Sequence, residues 1–273
     1  MARSLNKELL EMMTTGKYKK VIETVRNDRS LSFEIRDGKG IIYYKKGKVL
    51  TLAKDRQEEI SSGYDKYGSG VPKLDLQRPK KYFDDCKTLI DNYAKYMEFT
   101  MQQMIASQNV DENSEFLVID MEYQYEQKDV PADERIDKTR IDLVAIELAT
   151  KAIVLFELKQ GCGALEGRSG IEDHIKKTQK HIDTEDFCKK LRRDIKAIIG
   201  QKVQLGMLDE YANKCIEYID TAEIKMMFIF VYSSPEERMS YDKMIKDFKN
   251  NGGSCPQTHY FNMSYKLSKN SIE

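Results

Sequence analysis

The sequence predicts an α/β protein built on a mixed central sheet. Two observations carry that class. Strand-like runs follow one another at 115–126, 139–148 and 151–160, and a fourth, "EIKMMFIFVYSS", comes only after helical stretches at 171–182 and 186–208. A long helix, about Pro79 to Ser107, precedes the first run, with Phe83, Ile90, Met97, Met101 and Met104 at helical spacing. From residue 80 onward the order is helix, three strands, helices, strand, the pattern of a layered α/β sandwich.

The chain has 273 residues, enough for one large domain or for one domain with an appendage. Residues 1–78 read as the appendage. A helix over roughly 4–26 leads into "LSFEIRDGKGIIYYKKGKVLTL". Its turn residues at Asp37-Gly38-Lys39-Gly40 and Lys46-Gly47 split it into a small antiparallel meander. The polar link "SSGYDKYGSGVPKLDLQRP" then marks a boundary, and 79–273 form the main domain. A final helix at 235–250 and a short strand at 257–263 close the chain.

Composition excludes several classes. Forty-five basic and 45 acidic residues cancel, so no global field draws the protein to nucleic acid or membrane, and any such binding must come from local patches. The five cysteines are scattered and odd in number, without a C-x-x-C pair, which argues against a disulfide framework or a zinc site. The three histidines show no H-x-x-x-H spacing. The opening "MARSLNKELLEMMTTG" reads as a charged amphipathic helix, and no run approaches the length of a membrane span. A cytoplasmic protein without a membrane partner is expected.

The stretch "RIDLVAIELATKAIVLFELKQG", Arg140 to Gly161, holds the most apolar and β-branched runs, yet carries Asp142, Glu157 and Lys159. Charges seldom enter core strands without a partner or a task. Period-two alternation places Glu157 and Lys159 on one face with Ile153 and Leu155. If the chain reverses between Ala149 and Thr150, Asp142 falls opposite Glu157 on that same face. A three-residue loop would send Asp142 to the other face unless a bulge restored the phase. Two opposed carboxylates need a shared proton or a cation. Hard oxygen ligands suit Mg²⁺ or Mn²⁺, and a neighbouring lysine can orient an attacking water or stabilise phosphate charge.

At these residues the chain resembles the PD-(D/E)XK nuclease superfamily, whose signature is an Asp on one strand and Glu-x-Lys on the next. Here these are Asp142 and Glu157-Leu158-Lys159. The resemblance implies a restriction-endonuclease-like αβββαβ core over about 80–232, with the helix and meander of 1–78 added to it. It implies divalent-metal hydrolysis of nucleic acid, DNA ahead of RNA, with Asp142 and Glu157 as metal ligands, Lys159 as a catalytic residue and the Leu158 carbonyl as a further metal contact. One departure is Ile141, where the family often has Pro. Glu-x-Lys alone has no weight, since it also occurs at Glu126–Lys128 and Glu223–Lys225; only the middle copy ends an apolar strand that follows an Asp-bearing one.

Supporting residues come with bland alternatives. Relatives often take an acidic residue from the first core helix, and Glu98 is the choice here; Glu122 competes, on a strand face with Phe116, Val118 and Asp120. Gln179 borders the apolar stripe Ile171, Ile175, Thr178 and Ile182, and could line the site, with Lys176 and Lys180 outward. Arg192 and Arg193, in "CKKLRRDIK", could grip phosphates non-specifically, although a solvated helix face explains them as well. "IIYYKKGK" in the meander could stack on bases or pack on a partner. "GCGALEGRSG" misses both the Walker and the dinucleotide spacing, and is expected to be a flexible loop beside the site. A two-fold homodimer is compatible with these readings but not required. The rival function is an inert nuclease fold kept as a nucleic-acid or protein-binding module; the intact Asp142, Glu157 and Lys159 argue against it.

Overall fold

The computed structural model describes residues 3–64, 70–93, 97–127, 138–160, 170–252 and 256–262. It is an α/β structure with two sheets, one four-stranded and antiparallel, the other five-stranded and mixed.

The predicted first helix is two. Helices α1 (Lys7–Thr14) and α2 (Lys19–Arg26) are separated by a turn through Gly16. The meander forms as expected, from β1 (Leu31–Arg36), β2 (Lys39–Tyr44) and β3 (Gly47–Leu52), with a short fourth strand, β4 (Gln57–Glu59), that the sequence did not announce. Arg36 pairs with Lys39 across a two-residue turn, and Asp37 and Gly38 both adopt positive φ there, which is what a tight hairpin demands.

The long helix is described in the segments α3 (Pro79–Tyr93) and α4 (Met97–Gln108), with residues 94–96 outside the described residues. Phe83 and Ile90 of α3 bury among α1, α2 and the meander, whereas Met101 of α4 buries against the five-stranded sheet and Met104 stays 42% exposed. One straight stripe cannot enter two cores, so the packing boundary falls between α3 and α4 rather than at residue 79. Gly47 permits the close approach: a Cβ there would lie 2.4 Å from Ile90 Cδ1. The Tyr82 hydroxyl ties α3 to the meander, donating to the Val49 carbonyl and accepting from the Ile60 N–H at 2.9 Å.

The five-stranded sheet runs β5 (Phe116–Tyr125), β6 (Thr139–Glu147), β7 (Ala152–Gln160), β8 (Ile224–Tyr232) and β9 (Gln257–Asn262), in that spatial order. The first three strands are antiparallel neighbours; β7, β8 and β9 are parallel. Helices α5 (Ile171–Ile182), α6 (Glu185–Gln204), α7 (Ala212–Cys215) and α8 (Pro235–Asn250) fill the two parallel crossovers. Phe187, Leu191, Ile195 and Ile199 of α6 bury against one sheet face; α4 covers the other. Among the described residues no helix is long and apolar enough to cross a membrane.

β5 is an edge strand, and edge strands need cover. The meander supplies it through a buried ionic cluster. Arg3 and Arg36 each donate to Asp120, at 2.8 and 2.7 Å, while Lys202 of α6 donates to Glu34 and to the Ile119 carbonyl at 3.0 and 2.9 Å. Arg36 also caps the Met121 carbonyl. Gln201 of α6 holds both the N–H and the carbonyl of Leu5, and Gln103 of α4 bonds Ser32, the Tyr43 carbonyl and the Lys45 N–H. Burial alone would raise the Asp120 carboxyl, but the guanidiniums of Arg36 and Arg3 outweigh it and hold it well below the usual range. Burial pushes Glu34 up to about 7.

Asp120→Ala leaves buried guanidiniums without their carboxylate and should lower stability by about 3–5 kcal/mol, measured by urea unfolding. Glu34 gives a pH signature. Between its ordinary value of 4.5 and about 7, the folded state keeps a proton that the unfolded chain has released. Its contribution to stability therefore falls as pH rises through that window. Urea midpoints at pH 5, 6 and 7 should show this fall in the wild type, and Glu34→Gln should flatten it.

Candidate active site

The site rests on how β6 turns into β7. Observed pairs run from Leu143↔Phe156 to Glu147↔Ala152 around a four-residue loop, 148–151, in which Lys151 takes φ 61° and its N–H bonds the Glu147 carbonyl at 2.9 Å. The even loop preserves the phase that the reversal at Ala149-Thr150 requires. Val144, Ile146, Ile153 and Leu155 share the core under α6, and Leu143, Ala145, Val154, Phe156 and Leu158 share the opposite core. Glu157 and Lys159 continue the α6 side of β7.

The next step of the register sets Asp142 opposite Glu157. There the ladder between β6 and β7 stops. The Asp142 carboxylate instead accepts the Leu158 N–H at 2.7 Å, so a side chain replaces a strand rung. β7 remains paired with β8 through Gln160↔Val231. The two strands thus part at the level of the three charged residues.

Asp142, Glu157 and Lys159 are buried, 4%, 9% and 5% exposed. One Glu157 oxygen, Oε1, meets both Lys159 Nζ at 3.1 Å and His174 Nδ1 at 3.0 Å. Oε2 lies outside both contacts. His174 was not singled out in the sequence, where it is one of two histidines on a lysine-rich helix without metal or triad spacing. Its contact follows from Ile171 and Ile175, which dock the first turns of α5 against Met226, Phe228 and Phe230 on β8, and from the pairing of Phe228 with Glu157. Asp173 completes the surroundings: the Lys177 ammonium, with His174 and Lys159 nearby, holds its carboxyl below the usual range.

Other expected members are elsewhere. The Glu98 side chain and the glycine-rich loop at 161–169 lie outside the described residues. Glu122 sits in β5 with φ 52° and pairs with Arg140 at 2.9 Å. The simple alternation that grouped it with Phe116, Val118 and Asp120 fails, because the register slips between Val118 and Asp120. Gln179 is exposed and donates to Asp183 at 2.8 Å, a turn further along α5, so it does not line the cluster. Lys176 pairs with Glu172 and Lys180 is exposed. Arg192 donates to the Ala222 carbonyl at 2.9 Å and serves the entry to β8 rather than a surface. Arg193 stays at the surface, 3.9 Å from Asp194. Around them Lys189, Lys190 and Lys196 pair with Glu185, Asp194 and Asp220, so the basic stripe is matched by acids rather than left open to phosphates.

Asp142 and Glu157, oxygen donors on adjacent strands, are the residues that would hold a hard divalent cation. Among the described residues no group of three or more His, Cys, Asp or Glu is assembled as a metal site. No protein family, curated protein or solved structure matches the chain.

Asp142→Ala deprives the buried Leu158 N–H of its acceptor and should cost about 1–3 kcal/mol in urea unfolding. Asp142→Asn keeps a carbonyl oxygen for that bond and should lose less. Equal losses in the two variants would refute the role of this bond in holding the strand split.

Proposed function

We propose that the protein is a Mg²⁺- or Mn²⁺-dependent nuclease with a restriction-endonuclease-like core, hydrolysing phosphodiester bonds of nucleic acid, DNA ahead of RNA. One observation carries the reading: Asp142 accepts the Leu158 N–H, between Glu157 and Lys159 in sequence, where the ladder between β6 and β7 stops and Lys159 meets Glu157. Asp142 and Glu157 hold the cation, with the Leu158 carbonyl as a further contact. The bound cation supplies Lewis-acid polarisation of a phosphoryl oxygen and a more acidic water. Lys159 adds a fixed positive charge for the phosphorane-like charge that builds as water attacks, in a site where little solvent screens it. His174 is a positioning residue, holding Glu157 from the helix side.

A second reading has its own support. The cluster satisfies itself internally, with Glu157 shared by Lys159 and His174 and Asp142 spent on Leu158, as a purely structural knot at a strand split would be. The inert binding module is therefore kept as the alternative.

Plasmid, single-stranded DNA and RNA incubated with Mg²⁺, Mn²⁺ or EDTA separate the two. Cleavage should need metal, and Asp142→Asn and Lys159→Ala should each reduce its rate about 10²–10³-fold in preparations shown by circular dichroism to be folded. Cleavage that survives EDTA and both variants would sink the mechanism. Binding without cleavage under every metal condition would favour the inert module.

A further inference from the structure

A cleft of about 290 Å³ opens where the meander meets β5. Ile41, Tyr43 and Lys46 of "IIYYKKGK" form one wall; Phe99 of α4 and Met121 of β5 form the other. Neighbours in that motif do other work: Ile42 is buried in the core, and Tyr44 and Lys45 turn to Asp91. The Tyr43 and Phe99 rings stand 6.2 Å apart at 56°, a wedge rather than a closed stack, and both line the cleft. Polar groups converge on this apolar floor. Arg36 is held rigid by Asp120 and the Met121 carbonyl, and Glu122 by Arg140, while the half-buried Gln124 amide reaches the same cleft.

We propose that this cleft binds one nucleobase of the substrate strand, making the meander the substrate-recognition element. The inference rests on the nuclease reading and adds a site to it. The chemistry matches at each point. The volume is small for a ligand pocket and suits a single ring system rather than a large ligand. Aromatic faces beside a cation bind bases by stacking. The Gln124 amide oxygen can accept from amino groups, which adenine, cytosine and guanine carry and thymine lacks. Position matches as well. Met121↔Leu143 and Tyr123↔Ile141 bracket Glu122, setting it across from Asp142 on the neighbouring strand. The cleft wall and the carboxylate cluster are thus one strand apart, about 5 Å between backbones.

Binding of short labelled oligo(dA), oligo(dC) and oligo(dT) in EDTA, read by fluorescence anisotropy, tests the cleft without any cleavage. Oligo(dT) should bind most weakly. Tyr43→Ala should weaken oligo(dA) and oligo(dC) about 10-fold or more, Tyr43→Phe should restore them, and Gln124→Ala should narrow the difference from oligo(dT). Tyr43-dependent binding by a protein that never cleaves would uphold the cleft and end the nuclease reading. Cleavage in Mg²⁺ with affinities and KM unchanged by Tyr43→Ala would end the cleft and keep the nuclease. Absence of oligonucleotide binding by the wild type, or binding that ignores Tyr43, overturns the proposal.

Discussion

Asp120 lies on the edge strand of the larger sheet, 1% exposed, with a guanidinium on each carboxylate oxygen. The rest of the molecule is arranged around that fact. Removing two arginines and a lysine from water is expensive, and only charge partners and carbonyl acceptors offset it. Both stand beside the register slip between Val118 and Asp120. The Ile119 and Met121 carbonyls of this edge strand accept from Lys202 and Arg36. The edge that could template another strand is thereby closed by basic side chains of the same chain. Arg3, Arg36 and Lys202 come from the N-terminus, the meander and α6, so one bulge fastens three distant segments. The core beneath the meander and those of the larger sheet meet across this specific polar seam.

The second constraint is parity. Two strands joined by an even loop keep odd-even relations, and those decide whether charges converge or scatter. This much was legible in the sequence: the alternation in 139–160 and a reversal at Ala149-Thr150 give the observed pairing. The α5 and α6 stripes were legible too, since Thr178, Phe187, Leu191 and Ile195 lie buried at helical spacing. Local periodicity reports what a residue's own element will bury.

What escaped the sequence shares one physical character. The β5 bulge depends on Arg3, Arg36 and Lys202, residues far away along the chain, and nothing in "FLVIDMEYQY" announces a break in alternation. Phe83 and Ile90 enter one core and Met101 another, although their apolar spacing is continuous. His174 joins Glu157 only because β8 pairs in parallel with β7 and carries α5 over that end of the sheet. Of the acids that match the basic residues of α6, Glu185 and Asp194 lie one turn away in the same helix, and only Asp220 comes from outside the local window. In each of the other cases a long-range partner overrides a local pattern.

These two constraints meet on one pair of strands. β5 carries Asp120, which anchors the meander, and two residues later Glu122, which lies across from Asp142. At Glu122 the backbone takes a positive φ, a conformation that a non-glycine side chain adopts only where the surroundings over-determine it. The surroundings here are the ionic cluster on one side and the start of β6 on the other. Packing shows the consequence: Met121 and Leu143 bury under α4, whereas Tyr123 and Ile141 bury on the α6 side. Both strands change faces at the level of Glu122 and Asp142. That twist lets Asp142 leave the face pattern and reach the Leu158 N–H, parting β6 from β7. The anchoring of the meander and the geometry of the carboxylate cluster are therefore consequences of the same local distortion, two residues apart on one strand.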